Sequence, residues 1–499
     1  MADVAAPPPP PPPPQETEEL PPPEPPLAEP PREHAPAEQG ELPPAEPAPP
    51  AAAAVAMTTA VESELLEKAP PAHEEVVVSV DATKKPEPPA EPRKVTQPFA
   101  SFKEESNKVA DLSDPERNAL EELKQLFQEA LNSNTFFSKQ APEQEPETGD
   151  ASVSAGEASI WGIPLLKDER TDVVLLKFLR ARDFKVKDAF VMLRSTVRWR
   201  KDFSIDAFVD EDLGDDLEKV VFMHGHDREG HPVCYNVYGE FQNKEVYQKT
   251  FADEEKRAKF LRWRVQFLER SIRKLDFNPG GTCTIFQVSD LKNSPGPGKR
   301  ELRIATKQAL QMLQDNYPEF VAKQVFINVP WWYLAFYAMV SPFLTHRTKS
   351  KFVFASPSRT VETLFKYISP EQVPVQYGGL SVDYCDCDPE FTVSDPATEM
   401  TVKPGTKQIV EIMIYEKCVI TWELRVVGWE VSYGAEFVPN TGGYSINIQK
   451  PKKMSPADEP VAHGTFKVSE LGKVLLTVDN PTSKKKKLLY RFKIDLLGD

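Results

Sequence analysis

"YPEFVAKQVFINVPWWYLAFYAMVSPFLTHRTKSKFVF", residues 317–354, decides how this chain is read. From Val325 to Leu344 no side chain is charged, about the twenty residues that an α-helix needs to cross a hydrocarbon core of about 30 Å. Read as one helix, the stretch is a membrane span. Pro330 argues against that: it has no amide hydrogen and biases Val329 toward extended geometry, so "QVFINV" ends as a buried strand and only residues 331–344 stay helical. About fourteen residues make roughly 21 Å of helix, too short to span. Trp331, Trp332, Phe336, Tyr337, Val340 and Phe343 surround that helix on nearly all sides. A helix apolar all round sits in a deep core or faces something greasy that is not water.

The flanking sequence favours a sheet. "KVVFMHGHDREGHPVCYNVYG" reads as strand, Asp/Gly turn, strand; a long helix comes next in "DEEKRAKFLRWRVQFLERSIRKL", then the strand "TCTIFQVSDL". The helix "RELRIATKQALQMLQDN", the strand "QVFINV", the short helix from Trp331, the strand "KFVFA" and the helix "RTVETLFKYI" continue the alternation. Strands alternating with helices imply a largely parallel sheet in an α/β domain. Upstream, "DVVLLKFLRARDFKVKDAFVMLRSTVRWRKDF", 172–203, predicts two short helices bent at "RDFKV". Arg180, Arg182, Arg194, Arg198 and Arg200 make this lobe basic, as a solvated face or a headgroup contact.

Earlier still, "SDPERNALEELKQLFQEAL" has Ser113 as N-cap with Glu116 three residues on, and Leu120, Leu123, Phe127, Ala130 and Leu131 on one face. It reads as a capped amphipathic helix, with order beginning near Ser113 and a Pro/Glu/Gly/Ser-rich linker, 140–158, detaching it from the helical lobe downstream. The first 110 residues hold 20 acidic against 8 basic side chains, most of the net charge of −16, and more than half of the 50 prolines. With few large apolar residues to offset ordering entropy, this is an expected disordered, polyproline-rich acidic arm. It serves as a spacer, as a dock for proline-binding domains, or as a charge-based restraint on membrane contact.

At 27% charged and 40% hydrophobic residues, the 499-residue chain has material for two or three domains with real cores. No signal peptide, myristoylation glycine or prenylation cysteine is read at its ends. Five cysteines form no dense framework, so a reducing, cytosolic setting is expected. Enzyme motifs fail: "GPGK" at 296–299 is neither a phosphate-cradling P-loop nor a dinucleotide fingerprint, and no G-x-S-x-G occurs. His224, His226, Asp227 and His231 form H-x-H-D-x-x-x-H, a metal site or turn residues. A hairpin sends alternate side chains to opposite faces, so turn residues are favoured and no metal is expected. No enzyme activity and no nucleic-acid partner are expected either.

"LLKFLRARDFKV", "RWRKDF", "DREGHPV", "SDLKNS", "DNYPE", "INVP", "PFLTHRTKSKFVF" and "VQYGG", in this order and spacing, resemble the CRAL-TRIO lipid-binding family, particularly its phosphatidylinositol transfer proteins. The resemblance covers about 170–380. It implies that residues 331–344 are a gate over an internal lipid cavity, with Trp331, Trp332, Phe336, Tyr337, Val340 and Phe343 touching acyl chains. It also implies inositol-phosphate contacts by Thr348 and Lys351 (the family's T-x-x-K), Glu319 (its "YPE") and Arg182 (its "LRAR"). Two positions depart from the family: Asp183 stands where a lysine is common, and Phe320 where an arginine is. The departures leave a neutral isoprenoid or sterol open as the ligand.

From 385 to 496 helical periodicity is lost. Short β-rich runs such as "QIVEIMIY" and "KVLLTVDN", with "PNTGG" and "DNPTS" turns, predict a small β-sandwich. It resembles the GOLD domain, and the three-part order resembles plant patellins. The expected architecture is thus multidomain: a disordered arm over 1–110, the amphipathic helix and linker over 111–158, a helical N-terminal lobe over 159–205, an α/β CRAL-TRIO domain over 206–381, and an all-β GOLD sandwich over 385–496. The family implies a phosphoinositide-binding peripheral membrane protein of the cytoplasm, acting in vesicle traffic and cell-plate formation. Its ligand is a bound phospholipid rather than a cofactor, and its partners are anionic membranes and trafficking proteins met through the GOLD domain and arm. Lys484, Lys485, Lys486 and Lys487 form a basic patch for such membranes, or a solvated hairpin tip. The contrasting class is a scaffold whose lipid is structural filler.

Overall fold

Ser113 and Glu116 begin the first long helix as their spacing requires. The Ser113 amide donates to Glu116 Oε2 at 2.9 Å and its hydroxyl to the same oxygen at 2.6 Å, holding the carboxyl below its ordinary pKa. The structure, a computed structural model, describes residues 104–133, 135–136, 159–295, 299–330, 350–382, 391–456 and 458–497. The expected arm up to residue 103, the linker over 140–158, the gate over 331–344 and Thr348 lie outside them.

Helix α1 (Asp114–Asn132) is not detached. Its Leu120, Leu123 and Phe127 are wholly buried in one core with Leu175, Phe178 and Leu193, from helices α2 (Arg170–Arg180) and α3 (Val186–Asp202). A full apolar stripe needs a partner, and each such side chain gains about 1.5–3 kcal/mol by finding one. Order also starts before Ser113, because Asn107 is buried against the chain near Gly280. The bend between α2 and α3 is made by Asp183 and Phe184 in left-handed conformation, φ 49° and 59°. Two arginines of the expected basic face are used internally. Arg200 pairs with the buried Glu269 at 3.1 Å, and Arg194 donates to the Thr135 and Phe136 carbonyls beyond the end of α1.

After a short antiparallel pair, β1 (Ser159–Ile160) and β2 (Ile163–Pro164), the α/β alternation forms a five-stranded sheet in the order β3 (Val221–His226), β4 (Pro232–Val237), β5 (Ile285–Asp290), β6 (Val321–Ile327), β7 (Phe352–Phe354). Strands β3 and β4 are an antiparallel hairpin, and β4 to β7 run parallel. Because neighbours in register share a face, the sheet has two distinct sides. One carries Tyr235, Phe286, Val288 and Val325 against helix α4 (Thr360–Tyr367). The other is covered by α5 (Glu254–Ile272) and α6 (Arg300–Asn316).

Beyond residue 391 two four-stranded antiparallel sheets enclose a core with Trp422 at its centre, whose indole donates to Tyr433 Oη at 2.7 Å. This is the expected sandwich. It is joined to the α/β domain through "VQYGG". Gly378 adopts φ 98°, and a Cβ on Gly379 would stand 2.0 Å from the Val373 carbonyl, so that segment turns tightly enough to aim two carbonyls outward. Arg425 of the sandwich donates to both, Val375 O at 2.7 Å and Gly379 O at 2.6 Å. Burial lowers the Arg425 pKa to about 10.

Candidate functional site

On the side of the sheet under α5 and α6, Asn236, Gln287, Ser289 and Gln324 line a cavity with Phe260, Phe267 and Leu313. Parallel strands buried on both faces ordinarily read as unbroken apolar runs. Here the polar side chains pair laterally: Asn236 Nδ2 donates to Gln287 Oε1 at 2.8 Å, and Gln324 Nε2 to Ser289 Oγ at 2.8 Å. Their polarity is satisfied across the floor, leaving a cavity with aromatic and aliphatic walls and a few fixed polar groups.

A second, polar pocket adjoins it. Lys351 Nζ bonds Glu319 Oε2 at 2.9 Å and the Val321 carbonyl at 3.1 Å, with both side chains of the pair buried. Glu319 adopts φ 53°, a left-handed conformation costing about 1–2 kcal/mol for a residue with a side chain. Lys177 holds it there, donating to the Glu319 and Cys283 carbonyls at 2.8 Å each, with its ammonium 4.2 Å from the centre of the Phe320 ring. Glu319 and Val321 line both cavities and so mark the place where the apolar and the polar spaces adjoin.

Of the residues expected at the headgroup, the structure brings Glu319 and Lys351 together. Arg182 is half-buried at the bend, donates to the Ala181 carbonyl at 3.2 Å and is not among the described residues lining the polar pocket. Its helical neighbours Lys177 and Arg180 are. Sequence reading passed over Lys177, although a charge flanked by Leu176 and Phe178 on a buried helix was a usable signal. His231 also faces this pocket. Its Nδ1 lies 2.9 Å from Asp227 Oδ2 and its Nε2 2.8 Å from Glu104 Oε2. Burial opposes its charge, but the two carboxylates outweigh it and push the imidazole up to about 10. His224 instead meets Ser381 Oγ at 2.7 Å.

Three family descriptions match the chain: the CRAL/TRIO N-terminal domain over 119–195, the CRAL/TRIO domain over 217–379, and the Patellin-1-like C-terminal GOLD domain over 403–486. Patellin-3 of Arabidopsis thaliana is 68% identical over 80% of this chain and 79% of its own length. The chain belongs to the patellin family. Patellin-5 of the same plant is 64% identical over 81% of this chain and 57% of that relative, and a Meyerozyma guilliermondii protein named Phosphatidylinositol transfer protein SFH5 is 33% identical over 38% of this chain and 60% of that one. The N-terminal match begins inside α1, in keeping with the packing of that helix on the patellin lobe.

The two departures from the family pattern have local explanations in this patellin. Asp183 is exposed in the left-handed bend, so its charge does not argue for a neutral ligand. Phe320 is buried edge-on to Trp161 at 4.6 Å, part of the N-lobe core. The four-lysine run divides. Lys484 and Lys485 are exposed, whereas Lys486 donates to the Trp429 carbonyl at 2.8 Å and Lys487 pairs with Glu399. Among the described residues no helix is long and apolar enough to cross a membrane.

Proposed function

We propose that the chain is a peripheral membrane carrier of a phosphatidylinositol-type phospholipid. The observation that carries this reading is that an apolar cavity and a polar pocket holding the buried cations Lys177 and Lys351 share Glu319 and Val321 in their linings, a chemistry matched to an amphipathic, anionic ligand. Acyl chains occupy the apolar cavity, with Trp331, Trp332, Phe336, Tyr337, Val340 and Phe343 as the acyl-contacting residues. The headgroup phosphate takes Lys351 and Thr348, a cation and a hydroxyl donor, while Glu319 accepts from inositol hydroxyls. The relative named as a phosphatidylinositol transfer protein supports the ligand class. In this reading the chain extracts and presents lipid rather than catalysing a reaction. It serves phosphoinositide-rich membranes in vesicle traffic and cell-plate formation, with the GOLD domain and arm recruiting partners.

A vesicle-to-vesicle transfer assay tests it. Thr348→Ala with Lys351→Met should lower transfer of phosphatidylinositol about tenfold, on the scale of losing one to two charge-assisted hydrogen bonds. Transfer that keeps its rate and its headgroup selectivity in a folded variant would remove the residue assignments.

A further inference from the structure

Residues 104–107 run across the polar pocket as its outer wall. Glu104 bonds His231, Glu105 Oε2 lies 3.0 Å from Arg180 Nε, and Arg180 also donates to the Ser106 carbonyl. Asn107 pins the segment from behind: its side chain donates to the Gly281 carbonyl at 3.0 Å and accepts from the Gly280 amide. The layering decides what this arrangement does. The Glu104 and Glu105 side chains are 33% and 43% exposed, whereas His231, Arg180 and Lys351 behind them are 7%, 10% and 3% exposed.

Buried cations need countercharge: Asp227 and Glu319 supply it to His231 and Lys351 from within the fold, and Glu104 and Glu105 supply it on the more exposed side. We propose that Lys177, Arg180 and His231 form an anion site contiguous with Lys351, filled from within the chain by Glu104 and Glu105, and that a phosphorylated inositol ring takes it by displacing residues 104–107. The segment acts as an internal competitor: carboxylates stand where ring phosphates go, so the pocket's cations keep an anionic partner throughout the exchange. Phosphates give more acceptor oxygens and more charge per group than carboxylates, so the exchange favours rings bearing phosphates beyond the diester. The proposal rests on the headgroup reading above and adds a threshold to it, since a weakly charged headgroup does not displace the segment.

The test uses the full chain and two variants, Glu104→Gln/Glu105→Gln, which removes the competing charge, and Asn107→Ala, which frees the segment without changing charge. Binding is measured to phosphatidylcholine vesicles doped with a bisphosphorylated phosphatidylinositol, to vesicles of equal surface charge doped with phosphatidylserine, and to soluble inositol trisphosphate by calorimetry. Both variants should bind the bisphosphorylated inositol about fivefold more tightly, Glu104→Gln/Glu105→Gln by releasing two partly exposed ion pairs and Asn107→Ala by losing the two hydrogen bonds that pin the segment, with a smaller gain on phosphatidylserine. Adding Arg180→Gln should abolish the gain. Gain in both inositol arms assigns a lipid headgroup as the source, and gain with the soluble ligand alone assigns a free inositol phosphate; either supports the site. Unchanged affinity in both variants, or an equal gain on phosphatidylserine, overturns the proposal. Wild-type chain that binds neither phosphatidylinositol nor its phosphorylated forms would remove the headgroup reading itself, and this proposal with it.

Discussion

Glu269 is wholly buried, yet it accepts from Arg200 at 3.1 Å and from Tyr317 Oη at 2.7 Å, tying α3 and α5 to the "YPE" segment that carries Glu319. Removing one partner strands a charge in the core, so Arg200→Met should cost about 3–5 kcal/mol in chemical denaturation. His231 sets a pH dependence. Its folded pKa, about 10, lies above an ordinary histidine's 6.5, so its stabilising charge is fully present below about 6.5 and is lost as pH rises through about 10. The denaturant midpoint of the wild-type chain should therefore fall across that window, and in His231→Gln this part of the fall should vanish. A variant with an unaltered profile would separate the imidazole from Asp227 and Glu104. These residue roles were the least legible in the sequence. Arg200 and Arg194 look like members of a solvated basic face because periodicity reports which way a helix side chain points and not what waits there. Their partners lie far along the chain. Lys177 reads as one odd charge in an apolar stripe, and only the fold brings the Glu319 and Cys283 carbonyls to it.

At the level of elements, local signals were read well. The Ser113 and Glu116 box, the bend at "RDFKV" and the strand-helix alternation each rest on neighbours within a few residues, and each stands in the structure. The misreading of α1 as a detached helix has a physical source: a polar linker shows that the chain leaves a surface, but not that it returns to it. Leu123→Ala should accordingly destabilise the whole N-terminal lobe by about 3 kcal/mol, the cost of an apolar truncation in a closed core, rather than unfold one independent helix. Circular dichroism melts should then lose α1 and the rest of the lobe together. A separate low-temperature transition would show the helix to be independent. Arg425 makes a similar case between domains. Arg425→Leu leaves the Val375 and Gly379 carbonyls without their donor, about 1–3 kcal/mol each where water does not replace it. Limited proteolysis should then cut more readily within 383–390, and an unchanged cleavage rate would mean that the two carbonyls find water.

Across the whole molecule, the net charge of −16 opposes anionic membranes, while 20 acidic against 8 basic residues fall in the first 110. Beyond about 8 Å at physiological salt those charges are screened, so exposed lysines on the folded domains act locally. Lys484 and Lys485 meet this requirement, whereas Lys486 and Lys487 are engaged within the fold. Lys484→Glu/Lys485→Glu should weaken flotation with phosphoinositide vesicles, chiefly at low salt, and removing residues 1–103 should strengthen it. Equal flotation of all three proteins at low salt would place the membrane-facing surface elsewhere. The domain order and the likeness to a lipid carrier were legible because many short motifs agree in sequence. The adjoining of an apolar cavity and a polar pocket at Glu319 was not, because it needs β5, β6 and α2 side by side. The carrier reading stands on that junction, and native mass spectrometry of the full chain is its sharpest test. The wild type should carry one phospholipid with an inositol headgroup, and Thr348→Ala/Lys351→Met, still folded at the assay temperature though less stable for the stranded Glu319 carboxylate, should lose it. A chain that retains no phospholipid, or a variant that retains the same inositol lipid in the same proportion, would contradict it.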